Sequence, residues 1–122
     1  MRKGLLPALL LGLGLVPTAA LAHAVLVKAV PAQRAVLAEP PARVELWFNE
    51  RLEPAYSRAS VTDAAGVRVD LRDVAVAGDD PRRLSLSLPP LGPGRYPVSF
   101  RVLSVDGHVV ESRVTFTVKG RR

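Results

Sequence analysis

The sequence predicts an all-β domain, a seven-strand antiparallel Greek-key sandwich or barrel. Four segments alternate apolar and polar residues with a period of two, as half-buried strands do. Clusters of Pro, Gly and Asp separate these segments at short intervals. No window longer than ten residues carries helical periodicity. About seven short strands in a chain of this size are the signature of a β-sandwich.

Taken in chain order, Val25–Ala29 is a weak strand that ends before Pro31, and Pro40-Pro41 marks the next turn. Val44, Leu46 and Phe48 then alternate with Glu45, Trp47 and Asn49. Glu50–Ser57 is compatible with a short helical turn. Arg58–Asp63 and Val67–Leu71 are weaker strands joined through Ala65-Gly66. Gly78-Asp79-Asp80-Pro81 is a turn, after which Leu84, Leu86 and Leu88 alternate with serines. Pro89-Pro90 through Gly94 breaks the chain again. Tyr96, Val98, Phe100 and Val102 form one further apolar face, and Val114, Phe116 and Val118 another.

The chain has 122 residues, 48% of them hydrophobic, which suits one domain. Its N-terminus departs from that average. Arg2 and Lys3 precede an uncharged apolar run, and small residues follow up to Ala20-Leu21-Ala22. That order predicts a secretory signal peptide over 1–22, cleaved at a small-x-small site, and a mature domain over 23–122. An uncleaved anchor is the alternative, but Pro7, Gly12, Gly14 and Pro17 interrupt the segment. No second long apolar segment exists, so the mature protein is expected outside the cytoplasm and not embedded in a membrane.

Removal of Arg2 and Lys3 lowers the formal charge from +6 to +4. The arginines are spread over many segments and not gathered into one block, and Lys119-Gly120-Arg121-Arg122 is a solvated tail, which together with export argues against nucleic-acid binding. There is no cysteine, so disulfides, thiolate zinc sites and blue-copper centres are excluded.

The two histidines carry the chemistry. Cleavage after Ala22 makes His23 N-terminal, and such a residue offers both its α-amine and its ring Nδ1 to one metal ion. The free amine titrates near 7.7–8.0, so a metal can displace its proton near neutrality. The second histidine lies in Asp106-Gly107-His108. In a strand, positions two apart share a face, and at a turn they are equally close, so a carboxylate and an imidazole project together. Amine, two imidazoles and a carboxylate form a tetragonal N/O donor set that suits one Cu(II) per chain. The only methionine is Met1, which leaves with the signal, so a soft site for Cu(I) is not available.

These residues resemble the CopC-type periplasmic copper-binding proteins of bacterial copper handling. The resemblance runs through HAVLVKAVPA at the processed terminus, VELWFNERLEPAYS (44 to 57), LSLPPLGPGRYPVSFRVLSVDGH (86 to 108) and VTFTV (114 to 118). It implies a Greek-key β-barrel of cupredoxin-like or Ig-like shape. It also implies Cu(II) ligation by His23, Asp106 and His108, with Glu50 as a ligand or a neighbour of the metal. Some members have a methionine-rich loop for Cu(I). The matching stretch here, Val61 to Arg83, holds neither Met nor His, which implies the Cu(II)-only type. Many members follow Asp-Gly-His with Pro-Val-x-Gly, where this chain has Val109-Val110-Glu111-Ser112.

Trp47 alternates out of phase with the apolar face, which places it over the metal or, more simply, in packing elsewhere. The functional expectation is a monomeric, non-enzymatic binding module that buffers Cu(II) or delivers it to an inner-membrane copper transporter. The rival expectation is a copper oxidase or monooxygenase with an N-terminal histidine. Such an enzyme needs open coordination positions and a broad substrate surface; Asp106 would fill a position, and one Trp and two Tyr make a poor platform.

Overall fold

The computed structural model describes residues 25–120. His23 and the predicted signal segment lie outside the described residues. Among the described residues eight strands form in chain order: β1 Leu26–Val30, β2 Val36–Leu37, β3 Arg43–Phe48, β4 Arg58–Val61, β5 Ala75–Val76, β6 Arg83–Ser87, β7 Gly94–Leu103 and β8 Val109–Val118. One sheet has the order β1-β3-β6-β5 and the other β2-β8-β7-β4.

The period-two pattern becomes the core directly. Val44, Leu46 and Phe48 of β3 and Leu84 and Leu86 of β6 point inward from one sheet. Tyr96, Val98, Phe100 and Val102 of β7, with Val114, Phe116 and Val118 of β8, point inward from the other. Each buried side chain of this size contributes about 1.5–3 kcal/mol. Phe48 meets Phe100 edge to face between the sheets, with ring centroids 5.5 Å apart.

Three local expectations are corrected. The strand count is eight because β2 and β5 have two residues each, too short for a periodic signal. β2 runs parallel to β8, so the sandwich is not wholly antiparallel. Val67–Leu71 is not a strand. Val67 and Leu71 are exposed while Asp70 is buried, so the inward position of the segment is an acid. That segment lies beside β4 through the Val69 N–H to the Val61 carbonyl. The turn expected within Glu50–Ser57 is a single 3₁₀ turn at Pro54–Tyr56.

Trp47 is half-buried on the outer face of its sheet. The Lys28 ammonium sits 4.8 Å from its ring centroid and the Arg83 guanidinium 5.9 Å, on the side away from the core. Among the described residues, no helix is long and apolar enough to cross a membrane.

Candidate metal centre

The β7–β8 hairpin closes through residues 104–108. The Ser104 N–H donates to the His108 carbonyl at 2.9 Å, and the Gly107 N–H donates to the Ser104 carbonyl at 2.9 Å. Gly107 has φ +93°, a conformation that a β-carbon disfavours, which explains a glycine between the two candidate ligands. Asp106-Gly107-His108 is thus a turn, and its side chains are brought together by the hairpin. His108 Nδ1 lies 3.2 Å from Asp106 Oδ1.

Ser104 is buried beneath this turn. Its hydroxyl donates a short hydrogen bond to Asp106 Oδ1 and accepts one from the His108 N–H at 3.3 Å. The Ser104 hydroxyl holds the Asp106 carboxyl below the usual carboxylate range; burial opposes this, and His108 adds to the lowering.

The loop after β3 braces the turn. The Val105 N–H donates to the Arg51 carbonyl at 2.9 Å, and the Glu53 N–H to the Leu103 carbonyl at 2.8 Å. Asn49, at the start of that loop, takes the Val25 N–H on its Oδ1 at 2.7 Å and donates its own N–H to the Val25 carbonyl at 3.1 Å. Residue 25 is therefore held at the end of the sandwich where Asp106 and His108 project. His23 is two positions earlier, a span of at most about 7 Å.

Glu50 lies in the same loop, half-buried, and makes no ion pair with Arg51 among the described residues. No three His, Cys, Asp or Glu among the described residues come together to hold a metal ion. What these residues contribute is the Asp106–His108 pair, and Glu50 does not join it. The 3.2 Å separation puts an imidazole nitrogen and a carboxylate oxygen near enough that both would reach one metal ion. Sequence reasoning missed Ser104 and Asn49. A serine two residues before Asp106 is a weak signal, and Asn49 gives none because its partner is a main-chain group 24 residues away.

A family model described as the CopC domain matches residues 26–119. The chain is 32% identical to the copper transport protein CutJ of Bacillus subtilis over 90% of its own length, but spans only 20% of that relative. It is 35% identical to copper resistance protein C of Pseudomonas syringae pv. tomato, covering 86% of this chain and 87% of the relative. Among solved structures it is similar to CopC from Methylosinus trichosporium OB3b, with a TM-score of 0.75 and 42% identity over 82% of this chain and 97% of that one.

Proposed function

The chain belongs to the CopC domain family, and from that premise we infer that it is an exported protein that captures one Cu(II) ion. The ligands are the α-amine and imidazole of a processed His23, the imidazole of His108 and the carboxylate of Asp106. The observation that carries this reading is the 3.2 Å Asp106–His108 pair at the end of the sandwich to which Asn49 holds residue 25. Two side chains preset as adjacent donors leave only the terminus to add, which lowers the ordering cost of binding. Glu50 lies in the bracing loop and is not assigned as a ligand.

The names of the relatives, copper resistance protein C and the copper transport protein CutJ, support a role in copper homeostasis. We read the chain as a binding module and not an enzyme, placed outside the cytoplasm by cleavage after Ala22. It buffers Cu(II) or passes it to an inner-membrane copper transporter.

Intact-mass measurement of the exported protein with Cu(II), Zn(II) or Cu(I) tests this. The expected result is a start at His23, one Cu(II) per chain, weaker Zn(II), and no tight Cu(I), because a chain starting there has lost Met1 and holds no thiolate or thioether. His108→Ala should lose the copper at equal loading. A chain that retains Cu(II) after both His108→Ala and Asp106→Ala would overturn the assignment.

A further inference from the structure

Away from the histidine turn, a cavity of about 720 Å³ lies against β4, β7 and β8. Arg58, Arg101 and Glu111 stand in register across the three strands, and Ser60, Ser99 and Arg113 form the next row on the same face. Arg68 reaches in from the segment beside β4. Two arginines directly opposite on neighbouring strands, as Arg58 and Arg101 are, repel unless a counter-charge sits between them.

The local acids do not supply that charge. Arg101 has only a loose pair with Glu111, 3.9 Å long and well exposed on both sides. The Arg68 guanidinium is fixed by Asp70, through Nε to Oδ1 at 2.8 Å and Nη2 to Oδ2 at 3.0 Å. That bidentate grip orients Arg68 while its remaining N–H groups stay uncommitted to Asp70. Arg58 and Arg113 have no acidic partner among the described residues. The cavity therefore carries two uncompensated positive charges, with Ser60 and Ser99 lining the same face. Its volume is that of a small-molecule site.

We propose that this cavity binds a tetrahedral dianion, a phosphate group carried either by free inorganic phosphate or by a phosphomonoester lipid headgroup. Two forks of opposite origin, from β4 and β8, match a charge of two. Guanidinium and hydroxyl donors from several directions match oxygens that are not coplanar. A planar monoanionic carboxylate would satisfy one fork and leave the other charge unmet.

The test is calorimetry of the metal-free protein with inorganic phosphate in chloride buffer. Saturable binding of one phosphate per chain is expected, weakened at least tenfold in Arg58→Gln/Arg113→Gln and unchanged in Arg43→Gln on the other sheet. Arg113→Gln alone, at an exposed position, should weaken it severalfold and covers the case of a poorly folding double variant. In parallel, sedimentation uses phosphatidylcholine vesicles with and without phosphatidic acid. Binding only to the phosphatidic acid vesicles, lost in the double variant, assigns the lipid source. Free phosphate binding without vesicle binding assigns the soluble source. If neither phosphate nor these vesicles bind, or if Arg43→Gln weakens binding as much as the double variant, the proposal is overturned.

Discussion

Asn49 and Val25 hold one another by two hydrogen bonds, Val25 N–H to Asn49 Oδ1 at 2.7 Å and Asn49 N–H to the Val25 carbonyl at 3.1 Å. Asn49→Ala removes only the side-chain half, an exposed bond whose loss costs stability about 0.5–1.5 kcal/mol. The larger effect should fall on copper, since the terminus then loses a constraint two residues after His23. We expect Cu(II) affinity to drop about tenfold, the size of effect that groups orienting metal ligands have. Competition with a Cu(II) chelator reads this, and parent-like affinity would show that the terminus is placed without Asn49.

A variant carrying one additional residue before His23 keeps every side chain and converts the α-amine into an amide. Its Cu(II) affinity should fall by orders of magnitude while its melting temperature without metal stays that of the parent. Equal affinity would mean that the amine is not a ligand, or that processing occurs elsewhere, for example after Ala24.

Copper affinity should weaken as pH falls from 8 toward 5. The free α-amine is protonated below about 7.7, and ligating imidazoles must be neutral, so Cu(II) displaces protons in this window. Asp106 adds nothing to that slope, because the Ser104 hydroxyl keeps it ionised below the usual carboxylate range. Calorimetry in buffers of different ionisation enthalpy measures the released protons. A value near zero at every pH from 5 to 8 would rule out the amine-and-imidazole site in favour of carboxylates such as Glu50 and Asp106.

Asp70 should set the acid limit of the fold. Its carboxylate has no exposed surface and accepts from Arg68, Val61 and Arg72. Burial works against its charge, but these donors together outweigh burial and hold the carboxyl below its ordinary value. A folded-state pKa below the unfolded one adds stability that is complete above the unfolded value, near 3.9, and is lost as pH falls through the folded one. Asp70→Ala should cost about 3 kcal/mol at pH 7, since it strands Arg68 and a buried Val61 N–H. Urea melts at pH 7 and below pH 4 check both statements. The variant should lose less stability in acid than the parent, and an equal loss would place the acid sensitivity elsewhere.

The sequence by itself determined the all-β class and nearly the whole core, because period-two burial is a local property of β3, β6, β7 and the second half of β8. It also marked Asp106 and His108, whose spacing of two puts them near one another in a strand or at a turn but not in a helix. It stopped where burial stops alternating. Glu111 to Arg113 pair with β7 yet are all polar and exposed, and Val67–Leu71, expected as a strand, buries an acid, Asp70. Only the tertiary structure decided that Ser104 supports Asp106 from below and that Asn49 ties residue 25 to the same end. It alone brought Arg58, Arg68, Arg101 and Arg113 around one cavity. Those arrangements depend on which strands become neighbours, and strand pairing joins residues far apart in the chain that no local pattern can link.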